Sequence, residues 1–385
     1  MQVYCDSAAT TRPYDDVVAA VAKTMKDVYG NPSSEHRVGS DAADVLRKSR
    51  HEIAALLGAK DSEIYFTSGA SESNNWAIQG VMREQALRGK KYIITSEFEH
   101  HSVLNTISYL AGEGIIPLYV RPDSSGFIDP KDIEDLIEKH DGKVGLVSIM
   151  FVNNELGTIQ PITQIADVCR AHEVLFHVDA TQAVGHIRVD VGAYGMNMMS
   201  FSGHKFHGPR GIGGLYVKSG VDVPNFIFGG KQERGMRAGT ENLPGIVGMA
   251  VALDISDSHM VLYNNRTIRI RNWIAEELCD VDGVHLNGAL ASHVPGILNF
   301  TFDGVEGESL LLMLDTYGIA ASAGSACATG AIEPSHVLRA IGCTKEQAMC
   351  SVRLSFDTEM TFEMASYVVE TIKKCVAILR SAAEK

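Results

Sequence analysis

The sequence predicts an α/β fold, in which a large domain has a mostly parallel sheet flanked by helices and a smaller α/β domain follows. Two observations lead to this prediction. Apolar, β-rich runs alternate with helical stretches through residues 63–217, the pattern of repeated strand and helix units. A long charged helical stretch then interrupts the sheet-forming runs, and strand-like runs resume beyond it. A chain of 385 residues is long enough for two hydrophobic cores.

The predicted large domain, residues 15–256, begins with two amphipathic helices and continues with six buried strands. The helices span residues 15–30 and 39–58, and each is closed by a glycine. The strand-like runs are EIYFTSG (63–69), KYIITSE (91–97), KVGLVSIMFV (143–152), VLFHVDA (174–180), MNMMSFSG (196–203) and GIGGLYV (211–217). Helical stretches between several of these runs predict a single sheet covered by helices.

The predicted small domain comprises residues 1–14 and 257–385. It begins with the charged helical stretch NNRTIRIRNWIAEELCD, continues with the strand-like runs GILNFTF and VRLSF, and closes with a helix over residues 362–385. The short N-terminal arm is expected to pack with this domain.

Composition and charge limit the functions that the chain can have. A net charge of −13 argues against a broad nucleic-acid interface and favours small substrates and protein partners. The N-terminus lacks the basic start of a signal peptide, and we expect no membrane-spanning run, so the predicted location is cytoplasmic. The seven cysteines are scattered and contain no C-x-x-C pair, so no metal site is predicted.

Polar residues follow several predicted strands, where open parallel sheets bind ligands. The turn TSGASESNN could hold a phosphate on its backbone N–H groups, although an ordinary capped turn has the same composition. Asp179 ends another strand, with Gln182 close behind it. Lys205 lies in a glycine-rich bend, where a partly desolvated amine could form a Schiff base, although most lysines are simply solvated. Together, these parts suit pyridoxal phosphate (PLP).

The same motifs match a known family in the expected order. They are DSAATT, GNPSSEH, TSGASESNN, EHHSV, VNNELGTIQP, HVDATQAVG, SFSGHKFHGPRGIGG, GGKQERGMRAGTEN and GSACATGAIEPSHVLRAIG. With these motifs the chain resembles the class V, fold type I PLP-dependent transferases, and within them the NifS/IscS-type cysteine desulfurases. The resemblance runs from about Tyr4 to the C-terminal helix.

The resemblance implies a role for each matching residue. Lys205 would hold PLP and move the substrate Cα proton, Asp179 would keep the ring nitrogen protonated, and His100 would stack on the ring and assist proton transfer. The other implied cofactor-binding residues are Gln182 at the ring hydroxyl, Asn154, and the phosphate-binding set Ala70, Ser71, Ser202 and His204. Thr240 would reach the phosphate of the partner subunit, which implies a homodimer. Arg353, with Asn31 and Asn154 as helpers, would bind the substrate carboxylate.

The resemblance also gives a role to the stretch SAGSACATG. Cys327 would lie on a mobile loop, about residues 321–334, and would accept sulfur from L-cysteine as a persulfide while alanine leaves. The long form of this loop implies transfer to a bound acceptor, such as an iron–sulfur scaffold or a protein of thio-cofactor synthesis or tRNA thiolation.

The chain departs from the family pattern at three positions near its ends. Cys5 and Ser7 replace a usual leucine and asparagine, and Asp357 replaces a usual glycine shortly after Arg353. Cys5 is expected to fill a strand position. A carboxylate at residue 357 would either weaken binding of the substrate carboxylate or only alter a turn.

Two alternatives remain open from the sequence. An aminotransferase or a selenocysteine lyase could use the same fold, and a transaminase would need no loop thiol. An inactive scaffold that binds iron–sulfur assembly partners is the second alternative, against which the presence of Lys205, Asp179, His100 and Cys327 together argues.

Overall fold

The structure, a computed structural model, describes residues 1–323 and 333–383. The helices are α1 (Asp15–Asp27), α2 (Arg37–Leu56), α3 (Ala70–Leu87), α4 (His101–Ala111), α5 (Pro130–Lys139), α6 (Ile162–Ala171), α7 (Val191–Tyr194), α8 (Leu243–Cys279), α9 (Gly307–Thr316), α10 (His336–Ala340), α11 (Lys345–Met349) and α12 (Phe362–Ala383). The strands are β1 (Val3–Tyr4), β2 (Ile64–Thr67), β3 (Tyr92–Ser96), β4 (Ile116–Val120), β5 (Val144–Met150), β6 (Leu175–Asp179), β7 (Met198–Ser202), β8 (Gly213–Val217), β9 (Val284–Leu286), β10 (Ile297–Phe302), β11 (Ile319–Ala320) and β12 (Ser351–Ser355).

A central sheet of seven strands has the order β2-β8-β7-β6-β5-β3-β4. Neighbours from β7 through β4 pair in parallel, whereas β8 runs antiparallel to both β7 and β2. This confirms the predicted α/β class and mostly parallel sheet. Strand β4, which the apolar pattern did not predict, lies at the sheet edge and contains Pro117. A proline removes one N–H donor, which an edge strand tolerates.

Separate hydrophobic cores cover the two faces of the central sheet. Consecutive strand residues point to opposite faces. Thus Leu146 and Met198 join a cluster formed with Trp76 of α3, whereas their neighbours Val147 and Met199 join the other cluster. Because both faces of the sheet are buried, most strands are apolar along their whole length and do not alternate between apolar and polar residues. The continuous apolar runs in the sequence predicted this.

A second, antiparallel sheet has the order β12-β10-β9, and α9 and α12 pack near it. The N-terminal arm belongs to this region, since β1 pairs in parallel with β11 and Cys5 is buried in the same core. The core of this region is separate from the two around the central sheet. The exact division at residue 256 stays a prediction.

Helix α8 runs without a break through the predicted boundary and packs against α1 and α2. By length and composition alone α8 could cross a membrane, although the sequence predicts no membrane-spanning run. In its most apolar window 44% of the residues are buried inside the protein, and core helices of globular proteins pass the same test.

Candidate active site

One open cavity lies where β5, β6 and β7 end and where β2 leads into α3. Its free space of about 730 Å³ lies in the range of cofactor sites. Ten of the predicted site residues line it, and they are Ala70, Ser71, His100, Asn154, Asp179, Gln182, Ser202, His204, Lys205 and Arg353. The central sheet brings nine of these residues together because the carboxyl ends of its parallel strands share one side of the sheet, and β12 of the second sheet adds Arg353.

Lys205 ends a short 3₁₀ turn directly after β7, and its amine is held by the N-terminal arm. Nζ donates hydrogen bonds to the carbonyl oxygens of Ala8 at 2.6 Å and Ala9 at 3.0 Å. Burial, followed by the nearby positive charge of Arg353, lowers the pKa of Lys205 to about 8. Near physiological pH a larger fraction of this amine is therefore neutral than of a solvated lysine, which favours nucleophilic attack.

Asp179, the last residue of β6, is buried and fixed by several donors. Its Oδ2 accepts a hydrogen bond from Asn74 Nδ2 at 2.7 Å, and its Oδ1 accepts from the Thr181 backbone N–H at 3.0 Å and from the Thr181 hydroxyl. Gln182, one turn later, donates from Nε2 to the Ala8 carbonyl at 2.7 Å. Asp179 thus places a carboxylate of fixed orientation in the lining of the cavity.

The turn after β2 has the form of an anion-binding site. Helix α3 begins at Ala70, and the first N–H groups of a helix have no partner within the helix. Gly213 of β8 lets this turn approach closely, since a Cβ atom there would come within 2.7 Å of the Gly69 Cα. Ser202 and His204 line the cavity too, and burial lowers the pKa of His204 to about 4, with the charges of Lys205 and Arg210 acting in the same direction.

His100 caps the N-terminus of α4, which fixes the hydrogen-bonding state of its ring. Nδ1 accepts a hydrogen bond from the Ser102 backbone N–H at 3.0 Å, so the proton of the neutral ring lies on Nε2. Burial lowers the pKa of His100, with the Lys205 charge adding to the effect and Asp179 opposing it. The neutral ring on the cavity wall can therefore stack on an aromatic ligand and donate from Nε2.

Arg353, on β12, extends its guanidinium into the cavity wall. Nη1 donates to the Asn154 carbonyl oxygen at 2.9 Å, and Nη2 pairs with Asp6 Oδ1 at 2.7 Å. The side chain is 4% exposed. Asn154 therefore takes part through its backbone, and Asp6 is an additional site residue that the sequence analysis did not select.

Three predicted site residues are not placed in this cavity. Asn31 is exposed, and its side chain accepts a hydrogen bond from the Ser33 backbone N–H at 2.9 Å. Thr240 is exposed and does not line the cavity of its own chain. Cys327 lies outside the described residues. The roles of all three stay predictions.

Two buried carboxyl groups beside the cavity were also missed. Burial raises the pKa of Glu99 to about 8, and its Oε2 has no hydrogen-bond partner among the described residues, while its backbone oxygen accepts a hydrogen bond from His336. Burial also raises the pKa of Glu155, whose Oε2 accepts a hydrogen bond from Ser335 at 2.5 Å. Glu99 directly precedes the predicted site residue His100 in the motif EHHSV, and Glu155 directly follows Asn154 in VNNELGTIQP. Their positions beside predicted site residues could have identified both.

Two of the departures from the family pattern contact each other. The Ser7 hydroxyl donates to Asp357 Oδ2 at 3.0 Å, and Asp357 Oδ1 accepts from the Glu359 backbone N–H. Asp357 does not line the cavity that contains Arg353. These contacts favour the alternative in which Asp357 alters a turn.

Comparison with known proteins agrees with this geometry. Residues 3–368 match the model of the aminotransferase class-V family. The chain belongs to this family. As a class V protein, it is 42% identical over 98% of its length to the cysteine desulfurase IscS of Methanosarcina thermophila, covering 93% of that protein. The IscS of Klebsiella pneumoniae is 43% identical, with 99% of this chain and 94% of that protein covered.

Solved structures also resemble this class V chain. A NifS-like protein superimposes with a TM-score of 0.92 at 36% identity and covers 98% of this chain and 100% of its own. The structure of SspA in complex with cysteine gives a TM-score of 0.81 at 35% identity and covers 92% of this chain and 98% of its own. The predicted fold type is thereby confirmed.

Class V enzymes of this kind depend on PLP, and the cavity residues fit that cofactor. The N-terminus of α3 suits the phosphate, and Asp179 suits a protonated ring nitrogen. Lys205 is a partly neutral amine within the same cavity, able to bond to the aldehyde carbon.

Proposed function

We propose that this chain is a cysteine desulfurase that converts L-cysteine to L-alanine and carries the sulfur on Cys327 as a persulfide. The observation that carries the proposal is the Lys205 amine, which is largely buried, has a pKa of about 8 and shares one cavity with Asp179 and Arg353. The cysteine desulfurases at 42–43% identity, and the similar SspA solved in complex with cysteine, support this substrate.

The cofactor would be held at three places. Ala70, Ser71, Ser202 and His204 would bind its phosphate, Asp179 its ring nitrogen and Gln182 its ring hydroxyl. His100 would stack on the ring, and Asn154 also lines the cavity. When bound, PLP withdraws electrons from the substrate Cα and so makes its proton acidic.

Lys205 would accept the Cα proton of the substrate, for which its lowered pKa suits it. Arg353 would hold the substrate carboxylate and fix the orientation of the Cα–H bond relative to Lys205. His100, neutral with its proton on Nε2, would donate toward the reacting atoms and assist deprotonation of the attacking thiol.

The Cys327 thiolate would form an S–S bond with the substrate sulfur as the Cβ–S bond breaks. The carbon skeleton keeps the electron pair of the broken bond, and protons delivered through Lys205 and solvent complete alanine. Each of the six cysteines within the described residues has a raised pKa, mainly because burial disfavours the thiolate. Burial thus makes their thiolates less available, and the assignment of the persulfide to Cys327 rests on the resemblance of its loop to that of the family.

We also infer a homodimer, a sulfur-acceptor protein and a cytoplasmic location. The exposed Thr240 would complete the phosphate site of the partner subunit. The acceptor would be an iron–sulfur scaffold or a thiolation protein. Free thiols at the six described cysteines suit a reducing compartment.

The test is incubation of the PLP-loaded protein with L-cysteine, with alanine and sulfide quantified and persulfide located by mass spectrometry. We expect alanine and a persulfide on Cys327, and we expect both to be lost in Cys327→Ala. The matched control is Cys279→Ala, which removes an exposed cysteine elsewhere and should retain activity.

Equal alanine formation by Cys327→Ala would contradict the persulfide step and favour a lyase. Transamination of a keto acid by that variant would favour an aminotransferase. Absence of turnover in every protein would favour the inactive scaffold.

A further inference from the structure

Among the residues that the structure describes, the guanidinium of Arg353 has partners for only some of its donors. Nη1 is bound to the Asn154 carbonyl oxygen and Nη2 to one carboxylate oxygen of Asp6, but the buried Nε has no hydrogen-bond partner within this part of the chain. Nε–H and one N–H of Nη2 point in the same direction, as the two prongs of one fork. Asp6 thus bonds to Nη2 alone and leaves the Nε prong of this two-pronged site unpaired among the described residues.

Leaving the Nε donor buried and unpaired has a free-energy cost. A carboxylate that bound both prongs would remove this cost and form the stronger bidentate contact. Asp6 does not form this contact from its position in the N-terminal arm, since only its Oδ1 reaches Arg353. A small carboxylate free to orient itself in the cavity has no such restriction.

The side chains of Arg353 and Asp6 differ in burial, and this difference suits replacement of Asp6 by a ligand at Arg353. The Arg353 side chain is 4% exposed, whereas the Asp6 side chain is 24% exposed and lines the cavity. Asp6 can therefore turn toward solvent and regain hydration, while Arg353 is held by Asn154 and by backbone bonds to Ser322.

We propose that Asp6 is a displaceable counter-ion that occupies the carboxylate site of Arg353 until substrate replaces it. The inference rests on the proposed role of Arg353 as the substrate-carboxylate residue. Asp6 acts as a specificity residue through Arg353. A ligand with a carboxylate competes with Asp6 for Arg353, whereas a ligand without a carboxylate leaves the Asp6–Arg353 pair in place.

The test is the affinity of the PLP-loaded protein for propionate, measured by ligand-observed NMR titration in wild type and Asp6→Asn. The amide keeps the size of Asp6 but competes less for Arg353, so the Kd for propionate should fall by about threefold or more. In an Arg353→Gln background the same change should have no effect. Asp357→Asn, which neutralises a nearby carboxylate bonded to Ser7 instead, is the matched control and should leave the Kd within about twofold of wild type.

An unchanged or higher Kd in folded Asp6→Asn would overturn the inference. If that variant does not fold, a crystal structure of the wild-type protein with propionate decides. Propionate should then lie on Nε and Nη2 with Asp6 rotated away, and a retained Asp6–Arg353 contact would overturn the inference. Propionate has neither amine nor sulfur, so these measurements stand whether or not the protein turns over L-cysteine.

Discussion

A lysine amine in water keeps its proton up to about pH 10, and Lys205 owes its reactivity to leaving that environment. The Ala8 and Ala9 carbonyl oxygens orient the amine, while burial and the Arg353 charge disfavour its protonated form. Asp179 and Asp6 act in the opposite direction. The properties of this side chain are thus set by three parts of the chain that are distant in sequence, namely the N-terminal arm, the end of β6 and β12.

This environment predicts the pH dependence of cofactor capture. Only the neutral amine attacks an aldehyde, so the rate of PLP binding by PLP-free protein should rise with pH through a midpoint near 8. In Arg353→Gln the midpoint should move higher, because a charge that lowers the pKa of Lys205 is gone. Stopped-flow absorbance over a pH series measures both.

Arg47→Gln serves as the control, since Arg47 is an exposed residue paired with Asp44 and should leave the midpoint unchanged. A midpoint near 10 in the wild-type protein would show that the amine is solvated, contrary to the structure.

Residue chemistry at strand ends was predictable from the sequence, whereas contacts made across the fold were not. Lys205 and Asp179 stand in motifs whose composition points to PLP. Asp6 belongs to the quoted motif DSAATT, but its pairing with Arg353 spans a sequence separation of 347 residues. No local pattern encodes such a pair.

At the scale of elements, the six predicted strands of the central sheet are all present because long apolar runs identify buried strands. Two kinds of element escaped prediction. Strand β4 carries Pro117 and exposed side chains, and β9 has only three residues. Helix α8 has an apolar first half and a charged second half, which concealed that it is continuous.

A hydrogen bond between Ser7 and Asp357 joins the N-terminal arm to the segment that follows β12. Both residues depart from the family pattern. We expect Ser7→Ala and Asp357→Ala to be non-additive, with a coupling free energy of about 0.5–1.5 kcal/mol, because each removes the same partly buried hydrogen bond. Urea unfolding of the two single variants and the double variant, at one protein concentration, measures this coupling.

The comparison pair is Ser7→Ala with Glu359→Gln, since Glu359 has an exposed side chain and should combine additively with Ser7. Additive effects of Ser7→Ala and Asp357→Ala on the free energy of unfolding would contradict a stabilising interaction between these two residues.

At the scale of the whole molecule, the cavity is built by both sheets. The central sheet supplies Lys205 and Asp179, and the second sheet supplies Arg353. Thr240 stays exposed in the single chain, which is what a residue serving the partner subunit requires.

The dimer proposal predicts complementation between two defective chains. Thr240→Ala should weaken PLP binding by roughly tenfold, because one hydrogen bond to a charged group is lost. Mixed with Lys205→Ala under conditions of subunit exchange, it should form hybrid dimers with one intact site that combines Lys205 of one chain with Thr240 of the other. The absorbance of lysine-bound cofactor at limiting PLP reports that site, and no recovery in confirmed hybrids would contradict action across subunits.

The arm that orients Lys205 also has a consequence for the order of events during synthesis. Its residues bond to partners that come much later in the chain, with Ser7 and Asp357 separated by 350 residues and Ala8 bonded to Ser355. Such long-range contacts form late, since the ribosome releases the second partner long after the first. The central sheet can assemble earlier, but its lysine acquires its final environment only after β12 and Asp357 have emerged.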